Sequence, residues 1–154
     1  MASIVRPPYP VDLKNKTSVF LAGTIDNGDS VDWQSEVEQS LSAFNVIIMN
    51  PRRDKWKDEW IQSINNAQFK TQVEWELRGL EISTIIFLYF AANSKSPISL
   101  LELGLHAKSN KLIIVCPSGF WRLGNIKIVA EKYGIPLYSC LKDGIDALKK
   151  EISH

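Results

Sequence analysis

Apolar residues in this chain follow two alternating rhythms. Short unbroken runs occupy residues 18–22, 46–49, 84–90, 111–116 and 135–139. Runs of that length, closed by breakers such as Gly23 and Asn50-Pro51, read as strands buried on both faces. Between them, apolar positions recur every three or four residues. Trp33, Val37, Leu41 and Phe44 mark one helix, and Phe69, Val73, Leu77 and Leu80 mark another over 69–82. Residues 97–108 form a third, with Ser96 as N-cap and Pro97 as first helical residue. Asn125 is placed as the cap of a fourth helix through Tyr133, which Gly134 ends. Residues 142–152 make the last.

Strand and helix thus alternate about five times, which calls for parallel strands joined by right-handed helical crossovers. The expectation is a single flavodoxin-like three-layer α/β domain over 17–154, with a five-stranded, mostly parallel sheet. Residues 1–16 contain Arg6-Pro7-Pro8-Tyr9-Pro10. Three prolines exclude regular structure there, so an extended, loosely attached segment is expected. Residues 26–30 read as a polar loop. Residues 52–60, charged and carrying Trp56 and Trp60, receive no assignment.

Length and composition narrow the function. A chain of 154 residues with 45% hydrophobic and 23% charged positions is one domain with a sizeable core. A net charge of +1 gives no reason to expect nucleic acid or an acidic membrane as partner. There is no N-terminal apolar signal segment and no run of about 18 apolar residues, so a soluble, cytoplasmic protein is expected. Cys116 and Cys140 each end a strand-like run and read as buried free thiols. Two isolated histidines and two separated cysteines do not make a metal site.

Glu102 carries the chemistry. It lies in Ser96-Pro97-Ile98-Ser99-Leu100-Leu101-Glu102-Leu103-Gly104. Ile98, Leu101 and Leu105 line one side of this helix, and Leu100, Leu103 and Ala107 the other. A helix apolar on most sides is a buried helix, and a carboxylate is rarely buried without a partner or a task. The helix follows a strand, so the acid falls near the carboxyl edge of the sheet, where α/β proteins bind ligands.

Other candidates converge on that edge. The exit of the first strand, Gly23-Thr24-Ile25-Asp26-Asn27-Gly28, reads as a tight turn or a backbone cradle. Asn50-Pro51-Arg52-Arg53 follows the second strand and offers two arginines to an anionic or carbonyl-bearing ligand. Periodicity turns Glu76 inward, with Gln72 one turn earlier. Trp75 lies opposite that stripe, so it is exposed or at an interface. Two inward carboxyls suit glycosyl chemistry, one as nucleophile at an anomeric carbon and one managing the leaving-group proton. His106, four residues after Glu102, is in range to pair with it. Of Trp33, Trp56, Trp60, Trp75 and Trp121, some are expected to stack on a planar ligand such as a base, Trp33 among the candidates.

Phe20-Leu21-Ala22-Gly23, Asp32-Trp33, Asn50-Pro51-Arg52-Arg53, Trp75-Glu76, the Ser96–Gly104 run and Gly124-Asn125 together resemble the nucleoside 2-deoxyribosyltransferase family over roughly residues 17–140. The resemblance implies transfer of 2-deoxyribose between nucleobases, as in nucleotide salvage, with no cofactor. It makes Glu102 the nucleophile and places Gly23 and Thr24 at the pocket. It further implies a homo-oligomer whose sites are shared, Asn125 reaching a neighbour's site. Where relatives often carry aspartates, this chain has Thr84 near the expected base and Ser96 near the expected sugar. Glu76 and Asp54 then stand as candidates for the proton donor. Water as acceptor, or binding of a nucleotide without turnover, are the alternative readings.

Overall fold

The computed structural model describes residues 1–25, 32–52 and 64–154. Six strands and five helices are described: β1 (Ser3–Val5), β2 (Ser18–Gly23), α1 (Trp33–Ser40), β3 (Ile47–Met49), α2 (Ala67–Ile82), β4 (Ile85–Tyr89), α3 (Pro97–His106), β5 (Leu112–Val115), α4 (Leu123–Tyr133), β6 (Leu137–Tyr138) and α5 (Leu141–Ile152). The strands form one sheet in the order β1-β3-β2-β4-β5-β6, and every adjacent pair is parallel.

The sheet therefore has one strand more than the apolar runs announce. Residues 3–5, expected to lie in a loose extended segment, pair with residues 47–49. Asn50 N–H donates to the Val5 carbonyl at 3.0 Å, and Ser3 N–H to the Val46 carbonyl at 2.9 Å. The prolines begin only at Pro7, after the strand has ended. Three residues at a sheet edge bury one side at most, too little to leave a hydrophobic run.

Side-chain alternation along the strands divides the core into two layers. Val19, Leu21, Ile48, Phe87 and Val115 face α1 and α5, where they meet Trp33, Val37, Ile145 and Leu148. Phe20, Met49, Ile86, Leu88 and Ile114 face α2, α3 and α4, where they meet Leu80, Leu103 and Ile126. The domain is thus a three-layer α/β sandwich.

Three helix faces differ from the sequence pattern. On α2 the inward side centres on Gln72, Gly79 and Leu80. Phe69 and Val73 are only half-buried and Leu77 is exposed. Gly79 explains the rotation: the Phe20 ring occupies the space its side chain would take. Trp75, expected outside, packs on Phe20 with ring centroids 5.9 Å apart. On α3, Ser99, Glu102 and Leu103 face inward. Ile98, Leu101 and Leu105 remain 59%, 58% and 56% exposed, so this helix is buried on one side only. Helix α4 starts at Leu123, two residues before Asn125, which is exposed in its first turn rather than capping it. Cys116 is buried as expected, whereas Cys140 is exposed, and both are free.

Candidate active site

The chain leaves β2 for β3 on one side and later arrives at β4 on β2's other side. Loops from β2 and β4 therefore diverge at their shared carboxyl edge, and divergence of that kind opens a crevice. Gly23 holds the seam closed beneath it. Its φ of +142° is a conformation that L side chains rarely adopt, and any Cβ there would overlap the Tyr89 carbonyl oxygen. Thr24 N–H then donates to that same carbonyl at 2.9 Å.

Above the seam, three buried hydroxyls tie the β2 exit to the loop that enters α3. Thr24 Oγ1 lies 2.6 Å from Ser96 Oγ and 3.2 Å from Ser94 Oγ. The two serines are 2.7 Å apart, and Ala91 N–H donates to Thr24 Oγ1 at 3.0 Å. Ser96 is the α3 N-cap, as its sequence position predicts, but with φ of +47° and no side-chain cap bond. Its hydroxyl has turned to Thr24 instead. The strained backbone at Ser96 is held by that network.

Six residues further on, about 9 Å along the helix axis, stands Glu102. It is 8% exposed, and no hydrogen bond or ion pair from the described residues reaches its carboxyl. Burial pushes its pKa up to about 8, and the neighbouring Glu76 pushes in the same direction. The helix dipole would lower it, but that effect fades within the first turn, and Glu102 is in the second.

Glu76 arrives from α2 and is half-buried. The buried Gln72 donates its Nε2 to Glu76 Oε1 at 2.9 Å and to the Pro51 carbonyl at 3.1 Å. The β3 exit, α2 and α3 thus meet around two carboxyl groups. Gly23, Thr24 and Ser96 lie at the carboxyl ends of β2 and β4, while Glu102 stands in the second turn of α3 and Glu76 and Gln72 on the middle of α2. Ser94 and Ser99 were missed. Their signal is the serine spacing at 94, 96 and 99, at the end of a strand and on the inward side of the next helix.

Other residues expected at the site have protein partners. Trp33 is fully buried against Phe87 and Tyr89 and donates Nε1–H to the Thr24 carbonyl at 2.9 Å. It supports the Thr24 turn from beneath. Asn50 is buried, with Nδ2 on Glu38 Oε1 at 2.7 Å and Oδ1 on Arg52 N–H at 2.9 Å. Arg52 NH1 donates to Gln34 Oε1 at 3.3 Å and stands 3.9 Å from Asp32. Thr84 sits at the opposite edge, where it exchanges hydrogen bonds with Ser18, each 3.0 Å long. It precedes β4, at the end of the strand opposite Thr24 and Ser96. His106 does not pair with Glu102. Burial and then Lys111 lower its pKa. Arg53, Asp54, Trp56, Trp60 and the loop 26–30 lie outside the described residues.

A groove of about 580 Å³ is lined by Thr84, Lys111, Tyr133 and Gly134 among others. It faces the amino ends of the strands, away from Glu102. Among the described residues no group of three or more His, Cys, Asp or Glu is placed to hold a metal, and no helix is long and apolar enough to cross a membrane.

Comparison with known proteins agrees with this layout. No curated protein matches the chain. The crystal structure of a conserved protein from Enterococcus faecalis V583 has the same fold, with a TM-score of 0.60 over 88% of this chain and 99% of that one, at 9% identity. A family model described as nucleoside 2-deoxyribosyltransferase like matches residues 16–120. That span takes in the β2 exit, both carboxyl-bearing helices and the serine-lined loop, and by it the chain belongs to the nucleoside 2-deoxyribosyltransferase-like family.

Proposed function

We propose that this protein transfers 2-deoxyribose between nucleobases through a covalent deoxyribosyl–Glu102 intermediate. One observation carries the reading: Glu102 is a buried carboxyl with no cation or donor from the described residues, and the Glu76 carboxyl acts on it electrostatically. A buried acid in that state is a candidate for chemistry rather than for structure.

The Glu102 carboxylate attacks C1′ of a 2′-deoxynucleoside. The N-glycosidic bond breaks, its electron pair leaves with the base, and the base nitrogen takes a proton from Glu76. A second base then attacks C1′, the ester bond to Glu102 breaks, and the incoming base returns its proton to Glu76. Two inversions restore the starting configuration. Close carboxyls hold one proton between them more easily than none, and the reaction requires that proton on Glu76. Gln72 steadies the Glu76 oxygen that is not delivering it.

We further propose a homo-oligomer with shared sites. Ile98, Leu101 and Leu105 form an outward apolar stripe on the helix that bears Glu102, and Asn125 stands exposed in the first turn of α4. Leu101→Glu is expected to split the assembly in analytical ultracentrifugation.

Base exchange tests the function. A 2′-deoxynucleoside incubated with a second free base yields a new nucleoside if transfer occurs, and only free sugar if water is the acceptor. Mass spectrometry of the mixture is expected to show the deoxyribosyl adduct in the native protein and none in Glu102→Ala. An adduct or turnover in that variant removes Glu102 from the mechanism, and their absence from the native protein leaves a binding module.

A further inference from the structure

The family match begins at residue 16, yet residues 5–9 grip both supports of the Gln72–Glu76 pair. On one side, the Val5 carbonyl accepts from Asn50 N–H at 3.0 Å. Arg6 NH2 donates to both oxygens of the buried Glu38, at 2.9 and 3.0 Å. Glu38 Oε1 in turn holds Asn50 Nδ2. Asn50 precedes Pro51, whose carbonyl receives Gln72 Nε2. On the other side, the Tyr9 carbonyl accepts from Trp75 Nε1–H at 2.8 Å, one residue before Glu76. Val11 and Leu13 continue along the same face as partners of the α2 core layer.

We infer that the N-terminal segment is a clamp that positions Glu76 against Glu102, with Arg6 and Trp75 as its two positioning residues. The inference rests on reading those carboxyls as the reacting pair. A helix lying on a sheet is held by apolar contact, which has no direction. The Phe20 ring under Gly79 sets how closely α2 approaches, and Lys111 Nζ holds the Leu80 and Glu81 carbonyls at its carboxyl end, which leaves the half that bears Gln72 and Glu76 to be fixed. Directional bonds fix it. Trp75 Nε1–H fixes α2 at the position next to Glu76, and the Arg6–Glu38–Asn50 chain fixes the carbonyl that anchors Gln72. An error of about 1 Å in such a placement costs up to roughly a hundredfold in rate.

The test compares the full chain with Trp75→Phe, which keeps the ring on Phe20 and removes the donor, and Arg6→Lys, which keeps the charge and removes the fork. Leu148→Val, in the opposite core layer, serves as a control of general loosening. Titration of carbon-13-labelled glutamate carboxyls by NMR reads the pair without needing turnover. Both clamp variants are expected to stay folded by circular dichroism, and the Glu102 midpoint to fall as Glu76 recedes, by less than its whole elevation because burial is the larger cause. Their kcat is expected to drop on the order of tenfold with KM changed by less than about twofold. The control is expected to leave the midpoint where it was. An unmoved midpoint in both clamp variants, or an equal movement in the control, overturns the inference. A native protein without turnover ends the functional reading alone, since the titration still decides the clamp.

Discussion

Glu76 on α2 raises the pKa of Glu102 on α3, in the same direction as the burial that is the larger cause. The two acids come from separate crossovers of the sheet. Gln72 holds Glu76 from within its own helix, so the carboxyl that perturbs is tethered while the carboxyl that is perturbed is left bare.

That relationship sets a pH dependence. With Glu102 at about 8, roughly one free molecule in ten carries the nucleophilic charge at pH 7. kcat/KM for deoxyribosyl transfer is expected to rise as pH approaches about 8, because the carboxylate and not the acid attacks, and to fall again once the proton required on Glu76 is lost. Glu76→Gln removes the like charge, so the Glu102 midpoint, followed by carboxyl NMR, is expected to move down.

Stability runs the other way. Between the ordinary value of 4.5 and about 8, folded Glu102 keeps a proton that the unfolded chain has released. The unfolded state binds fewer protons, so stability falls as pH rises through this window, with a slope approaching about 1.4 kcal/mol per pH unit from this group. Urea unfolding at pH 5 and pH 9 is expected to show the loss, and Glu102→Gln to flatten it.

Gly23→Ala sets a side chain against the Tyr89 carbonyl at a backbone angle that favours glycine. The expected cost is about 1–3 kcal/mol, read as a lower urea midpoint. Activity should fall further than stability, since the seam under the crevice has to part.

Ser96→Ala leaves Thr24 and Ser94 without a hydroxyl that stands 2.6 and 2.7 Å away. Both partners are buried, so a destabilisation of about 1–3 kcal/mol is expected. Thermal unfolding checks it. A variant as stable as the native chain removes the network from the account of the α3 entry.

Much of this was legible in the chain, for physical reasons that can be named. Strands buried on both faces leave unbroken apolar runs, so β2, β3, β4 and β5 were visible. A three-residue edge strand leaves none, so β1 was not. Glu102 was legible because an acid among leucines contradicts its surroundings. The outward turn of Ile98, Leu101 and Leu105 was not, because a helix wheel gives the spacing of side chains and not the direction of the sheet. Trp33 shows the same limit: its spacing marks a helix, but the ring is sealed into the core against Phe87 and Tyr89.

All six strands run the same way, and this divides the molecule for anyone who wishes to change it. On the proposed function, substrate preference is writable along a single rim, in the connections that leave β2, β3, β4 and β5. The far rim, with Thr84, Asn110 and Lys111, is open to tags, surface charges or grafted loops. Changes there lie at the opposite end of the sheet from Gly23, Thr24 and Ser96.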